Sequence, residues 1–476
     1  MPKFHPTTAT DAYKFVHWTQ RPSGLTRLMS YGEPRVGGQH SHIVFYGIQY
    51  FIKEYFMTVV TNEDIERGAR RSLNTFGNPG YFPQEIWEKV RDLGYYPLEI
   101  KAVKEGTVVP TGNVCYTIEA TEEWFAPMVS HFEPWLMWNW YPVAVATRMY
   151  NIHKGITPSF KISTNNAMLD YVVNDFGLRG AQGHEAACLG GSAALIFSDG
   201  SDNVPAMEFI EDYYGDATVG KSVWATEHSV ATVFGPGQGE FDYVNAQFDR
   251  AGDDAMVSIV IDSYDDTNFI KNVIGSEAIK QRIIARPGRT ILRPDSGVPL
   301  TNMIKYSEML GNIFGYHLNE VDYRVINHNV GLIQGDGMNE NSIVDIYSEY
   351  IKTGWSCENF AVGSGGGLLV EGLTRDTDRW AVKCCFAVID GESKDIRKSP
   401  KGDMTKASKA GILKLHKAGS EFITIESSKE QYGINNGYAD ELEIVYRNGK
   451  LMRDQHWTEI RTIAKSYLEA DLKTSK

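Results

Sequence analysis

One pattern recurs along the middle of this 476-residue chain and constrains its fold more than any other feature. A short apolar run ends in Asp, Gly or Ser, and a segment of helical periodicity follows. The instances are VVNDFGLRG from Val172, ALIFSDGSDN from Ala194, VSIVIDSYDD from Val257, TILRPDSG from Thr290, VGLIQGDG from Val330 and FAVGSGGGLL from Phe360. Apolar runs this short, separated by helical stretches, read as parallel strands covered on both faces by crossover helices. All the polar chemistry follows the runs, which is the arrangement of the C-terminal face of a β/α barrel. The pattern therefore predicts an α/β protein with an irregular parallel β/α barrel over residues 146–389.

The flanks have a different grammar. A polar entry, a helical-looking Phe45 to Val60 and strand-like segments at Leu98 to Val109 and Val114 to Ile118 make residues 1–145 α+β. The segment from Glu133 to Tyr150 is apolar on nearly every face, so a helix there must be buried. Beyond Asp390 comes a Lys/Gly/Pro/Ser-rich stretch, then strand-like sequence around Leu442 to Met452 and a last helix. Residues 390–476 are expected to rejoin residues 1–145 in one α+β domain formed from both chain ends. A chain of this length exceeds a single core, in keeping with two domains.

The net charge of −13 argues against nucleic acid, because phosphate neutralisation by Lys and Arg dominates such binding. A small anionic substrate needs a local basic pocket, magnesium, or both. The weakly polar run Ala186 to Phe197 falls short of the roughly 20 residues that span a bilayer, and Met1 to Gln20 has no signal-peptide apolar region. No membrane association and a cytoplasmic location are expected. Five cysteines without metal-ligand spacing read as reduced, buried thiols.

The chemistry gathers at a few places. Glycines 363 and 365–367 around Ser364 lack Cβ atoms, so backbone N–H groups there can approach phosphate oxygens. Gly335-Asp336-Gly337 offers a second such turn, and Arg375 and Lys383 follow the first with positive charge; a surface ion pair with Asp376 or Asp378 and a solvated strand edge are the plainer readings of those two. Asp262, Asp295 and Asp336 close three apolar runs, where they suit a magnesium ion or, one by one, helix N-caps. His228 stands beside Glu227, as a nucleophilic imidazole with its orienting acid or as a structural pair. The basic run Lys394, Arg397, Lys398, Lys401, Lys406 and Lys409 reads first as a solvated loop and second as a cover over a polyphosphate.

These segments, together with TDAYKFVHWTQRP from Thr10, VFYGIQYFIKEY from Val44, IKAVKEGTVVPTGNV from Ile100, WYPVAVAT from Trp140, ATEHSV from Ala225 and LTRD from Leu373, are similar to the nicotinamide phosphoribosyltransferase family of type II phosphoribosyltransferases over nearly the whole chain. The resemblance implies an irregular β/α barrel with an α+β domain, working as a homodimer with shared active sites. It implies synthesis of nicotinamide mononucleotide from nicotinamide and phosphoribosyl pyrophosphate in NAD salvage, with Mg2+ and with ATP as co-substrate. The nicotinamide ring would stack between Phe176 and Tyr13 of the partner subunit, with Asp11 beside it, and Asp202 would accept a hydrogen bond from the carboxamide.

By the same resemblance, Arg179 and Arg293 would bind the ribose phosphate or orient the ring, and Gly335, Asp336, Gly365 and Gly366 would line the phosphoribosyl site. Asp295 and Asp336 would hold ribose hydroxyls or magnesium, with Asp262 nearby as a further magnesium ligand. Arg35, Arg375, Lys383, Lys398 and Lys406 would take pyrophosphate or ATP phosphates. ATP would phosphorylate His228, oriented by Glu227 and Asp262. Rival expectations are a nicotinate phosphoribosyltransferase, a non-catalytic nucleotide-binding or signalling protein on the same scaffold, and a type I phosphoribosyltransferase, whose Thr/Gly phosphate loop is missing after IVIDSYDD.

Overall fold

The computed structural model describes residues 3–165, 169–399, 407–419, 421–427 and 439–474; Lys401 and Lys406 lie outside these. The described chain divides into two compact units. One comprises residues 1–147, 210–216 and 372–469, the other residues 148–209, 217–371 and 470–476.

The first unit is built on a seven-stranded antiparallel sheet drawn from both chain ends. Its order is Glu392–Asp395, Trp380–Ile389, Leu25–Pro34, Tyr116–Ala120, Leu98–Ala102, Glu443–Arg447, Lys450–Leu451. Trp380–Ile389, which the sequence pattern placed in the barrel, instead pairs along its length with Leu25–Pro34, and the barrel unit stops at Glu371. A ten-residue, mostly buried strand flanked on both sides in an antiparallel sheet carries much the same apolar run as a parallel one, so its partners are invisible locally. Phe132 and Trp135 pack edge to face with ring centroids 4.7 Å apart in this unit's core, a geometry that suits aromatic quadrupoles. The expected helix from Glu133 forms as two, Glu133–Met137 and Trp140–Ser163.

The second unit holds six parallel strands: β1 Val173–Asp175, β2 Trp224–Ala225, β3 Val257–Val260, β4 Thr290–Arg293, β5 Val330–Gln334 and β6 Phe360–Ser364. Their order is β1-β6-β5-β4-β3-β2, and every pair is parallel. The sheet curls into a half-barrel, and Gly200 and Ser201 extend it beyond β1 as a two-residue stave: Ser201 bridges to Asp175 and Gly200 to Lys221, both in parallel sense. All four residues of β3 are buried, as a strand covered on both faces requires. The apolar run from Ala194 to Phe197, expected as a strand, closes the helix His184–Ala194 instead; four apolar residues do not by themselves distinguish a helix end from a strand. No helix among the described residues is long and apolar enough to cross a membrane.

Candidate active site

The polar groups of the barrel stand just past the ends of its strands. Phe176 follows β1, and its N–H donates to the Ser364 carbonyl at 2.9 Å. Its ring lies across β6 above Gly363, where an added Cβ would come within 2.0 Å of a ring carbon. Glycine at 363 is therefore what lets the ring occupy this place. Gly363→Ala is expected to displace the ring at a cost of about 1–3 kcal/mol, the usual range for overpacking a filled site, measured as a shift in the urea unfolding midpoint.

Across from Phe176, the Asp202 N–H donates to the Asp175 carbonyl at 2.9 Å, and its carboxylate accepts the Ser222 hydroxyl at 2.5 Å. Phe176, Asp202 and Arg293 line two cavities at once. One, of about 510 Å³, lies among apolar side chains that include Phe160, Val172, Ile291 and Leu332. The other, of about 880 Å³, is polar and is lined by Arg179, Asp295, Gly335, Asp336, Gly365 and Gly366. Arg293 Nε is buried without a hydrogen-bond partner, a donor that a ligand oxygen at the junction would satisfy.

Glycine again makes room at the polar cavity. A Cβ at Gly335 would sit 2.3 Å from Asp295 Oδ1, and one at Gly367 would sit 2.2 Å from the Met338 carbonyl oxygen. The Ser364 hydroxyl donates to that same carbonyl at 2.6 Å. Behind the loop, the buried Arg148 guanidinium donates to the carbonyls of Gly367, Leu368 and Glu371 at 2.8, 3.0 and 2.7 Å. These contacts hold the backbone that follows the glycine turn, and Gly365, Gly366 and Gly367 line the polar cavity.

His228 opens the helix His228–Thr232. Its Nε2 lies 3.1 Å from Asp262 Oδ1 and its Nδ1 lies 4.0 Å from Asp295 Oδ2. Asp262 is nearly buried, with its side chain 5% exposed, whereas the imidazole is 45% exposed. The second oxygen of Asp262 accepts the Asp295 N–H at 3.0 Å, so one carboxylate ties the ring to the end of β4. Glu227 does not face the ring: it is exposed and accepts the hydroxyl of Ser229. The two carboxylates at the imidazole are Asp262 and Asp295.

Among the described residues no three His, Cys, Asp or Glu side chains come together as a metal cage. Magnesium commonly rests on one or two carboxylates and takes its remaining ligands from water and substrate phosphates. Asp295, a third exposed and bordering the polar cavity, fits that use. Asp262 has both oxygens engaged.

The remaining residues marked from the sequence belong to the first unit, where four of them gather. Burial lowers the pKa of Lys383; Glu133 opposes this, and the charges of Arg35, Lys398 and Arg375 add to it. Among the described residues, Nε and Nη2 of Arg35 are buried without hydrogen-bond partners. Arg375 donates to the Trp380 carbonyl at 2.9 Å and pairs with Asp376 at 2.6 Å. Tyr13 and Asp11 are exposed, and Lys14, next in sequence, meets Glu133 at 2.6 Å. In the basic run, Arg397 pairs with Glu426 and Lys409 with Glu33. Ser222, Asp175 and Asn203 were not singled out from sequence. Asp175 ends an apolar run just as Asp262 does, which is the one signal that could have marked it.

Residues 171–441 match the model of the nicotinate phosphoribosyltransferase (NAPRTase) family, and residues 7–100 match the nicotinamide phosphoribosyltransferase N-terminal domain. The chain is 35% identical over 463 residues to nicotinamide phosphoribosyltransferase of Xanthomonas campestris pv. campestris, covering 96% of this chain and 97% of the other. It is 28% identical over 506 residues to nicotinamide phosphoribosyltransferase of Acinetobacter baylyi, covering 98% of each. Among solved structures, nicotinate-nucleotide pyrophosphorylase from Pyrococcus furiosus shares the fold, with a TM-score of 0.58 at 15% identity over 99% of both chains. Human nicotinic acid phosphoribosyltransferase does so with a TM-score of 0.56 at 15% identity, over 97% of this chain and 93% of that one. With a family model spanning over half its length and a 35% identical relative aligned nearly end to end, the chain belongs to the nicotinate phosphoribosyltransferase family, among the members named nicotinamide phosphoribosyltransferase.

Proposed function

We propose that this chain joins nicotinamide to phosphoribosyl pyrophosphate, making nicotinamide mononucleotide and pyrophosphate in NAD salvage. The observation that carries this reading is the pairing of Phe176 with Asp202 at the junction of an apolar and a polar cavity. A flat, electron-poor ring stacks on Phe176. The Asp202 carboxylate accepts a hydrogen bond from a carboxamide NH2 and repels the carboxylate of nicotinic acid.

Seated there, the pyridine nitrogen faces the polar cavity, where Arg179, Asp336 and the glycine loop hold the phosphoribosyl group. The nitrogen attacks C1 of the ribose as the bond to pyrophosphate breaks, and the electron pair of that bond leaves with pyrophosphate. Orientation by Phe176 and Asp202 supplies part of the acceleration. Electrostatic stabilisation of the departing anion by basic side chains supplies the rest. Magnesium resting on Asp295 would neutralise pyrophosphate charge.

We assign His228 to a second reaction. The γ-phosphoryl of ATP passes to the ring nitrogen not held by Asp262, releasing ADP, and water then removes the phosphoryl group. Its exposure beside two carboxylates supports this role. Arg35, Arg375, Lys383 and Lys398 suit the polyphosphates of both reactions. We further propose a homodimer in which Tyr13, 56% exposed, offers its ring to the other copy's site. The setting is cytoplasmic, in accord with five free thiols.

The test is a product assay. Purified chain incubated with nicotinamide, phosphoribosyl pyrophosphate and magnesium is expected to yield nicotinamide mononucleotide and pyrophosphate in equal amounts by chromatography. Conversion of nicotinate in clear preference to nicotinamide, or no mononucleotide from either, overturns the reading.

A further inference from the structure

We propose that Asp175 and Asn203 form a buried brace that sets the spacing between Phe176 and Asp202, and that this brace is a positioning device for amide recognition. The inference rests on the proposed reading of those two side chains and extends it to residues that touch no substrate. Each member of the brace is the immediate chain neighbour of one member of the recognition pair. Asn203 Nδ2 donates to Asp175 Oδ2 at 3.0 Å, directly linking the two segments. The other carboxylate oxygen accepts the Gly177 N–H at 2.7 Å, so it pins the turn that carries Phe176 from its far side. Asn203 Nδ2 also donates to the Ala187 carbonyl at 2.9 Å, anchoring the brace to the helix His184–Ala194.

The brace has no slack. Asp175 is 2% exposed and Asn203 0%. A Cβ at Gly191 would come within 2.3 Å of Asn203 Nδ2 and 2.9 Å of Asp175 Oδ2, so the helix presses on the pair with bare backbone. A carboxylate is a costly choice in such a place. Burial raises Asp175 to about 6; the Gly177 N–H and Asn203 oppose the rise, and the charge of Asp202 adds to it. An apolar residue would avoid that cost but accept neither N–H group. Both oxygens are consumed in aligning the segments that end in Phe176 and begin at Asp202, as expected of a group kept for geometry.

The experiment compares steady-state constants of Asp175→Asn and Asn203→Ser with those of the wild-type chain, varying nicotinamide and phosphoribosyl pyrophosphate in turn. In Asp175→Asn an amide replaces the carboxylate at nearly unchanged volume and turns a donor toward a donor or loses the Gly177 bond. The expected result is a KM for nicotinamide raised about tenfold or more, the size of one lost charge-assisted hydrogen bond. The KM for phosphoribosyl pyrophosphate stays within about twofold, because the alignment lost is that of the ring site alone. The preference for nicotinamide over nicotinate falls with it.

Asn203→Ser, which shortens one arm only, is expected to move the same constant in the same direction. If Asp175→Asn gives no folded protein, the split in Asn203→Ser decides. Both KM values rising together, neither moving, or neither variant folding overturns the brace as a positioning device. A wild-type chain that makes no mononucleotide from nicotinamide sinks the reading of the reaction instead.

Discussion

Replacing His228 by alanine is expected to reduce ATP hydrolysis by about 10³-fold or more, the usual consequence of deleting a nucleophile from a covalent mechanism. Synthesis of mononucleotide without ATP should survive, because the imidazole touches neither cavity lined by Phe176 and Asp202. The ATP stimulation of that synthesis should vanish. The geometry supports this division: His228 is held by Asp262, which also holds the backbone of Asp295, itself a wall of the polar cavity. On the proposed reading the two reactions would meet at the Asp262 carboxylate without sharing a nucleophile. The check is release of labelled phosphate from γ-labelled ATP beside mononucleotide formation in the same samples. ATP turnover in His228→Ala at the wild-type rate excludes the phosphohistidine.

The second large effect belongs to Asp202. Asp202→Asn keeps an oxygen that accepts from a carboxamide and removes the negative charge that repels a carboxylate. The ratio of kcat/KM for nicotinamide over nicotinate is expected to fall by about 10²-fold, mostly by a gain with nicotinate. Part of the change depends on Ser222, whose hydroxyl donates to Asp202 at 2.5 Å. That bond lets the side chain keep its orientation when its charge is gone. An unchanged ratio, measured with both bases at fixed phosphoribosyl pyrophosphate, removes Asp202 from substrate choice.

Much of the barrel was legible because β3, β5 and β6 are almost wholly buried and write themselves as largely apolar runs, while β4 alternates buried and half-buried residues within a similar run. Their polar successors, Asp262, Asp295, Gly335 and Gly365, were legible for the same reason, since each run stops where the chain reaches the mouth. β2 was not. It has two residues, Trp224 and Ala225, both exposed, and offers no periodicity to detect. Trp380–Ile389 was read as barrel because its burial, and not its pairing, is what its sequence records.

The site shows the same limit. Glu227 was paired with His228 because the two are adjacent in the chain. Yet at a helix start, neighbouring side chains point apart, and the acids at the ring come from the ends of β3 and β4. The Asp175–Asn203 brace spans 28 positions, and no local pattern joins its ends. Arg375 and Lys383 were marked by their place after the glycine turn and Arg35 only by resemblance, and none announced its neighbours until the fold brought Arg35, Arg375 and Lys398 near the half-buried ammonium of Lys383.

The two-residue stave at Gly200 and Ser201 has a kinetic consequence. The stave is held by the Asp175 N–H to the Gly200 carbonyl at 3.1 Å, the Ser201 N–H to the Lys221 carbonyl at 3.0 Å and the Asp202 N–H to the Asp175 carbonyl at 2.9 Å. Although buried, so short a stave has fewer backbone hydrogen bonds to break than the longer β3 to β6, and it opens with less free energy. Its opening unseats Asp202 while β3 to β6 remain intact. Amide hydrogen exchange at Ser201 and Asp202 therefore reports the fraction of time that the Asp202 carboxylate is in place, and, on the proposed reading, a base bound against Phe176 should slow exchange at those two positions more than anywhere else in the barrel.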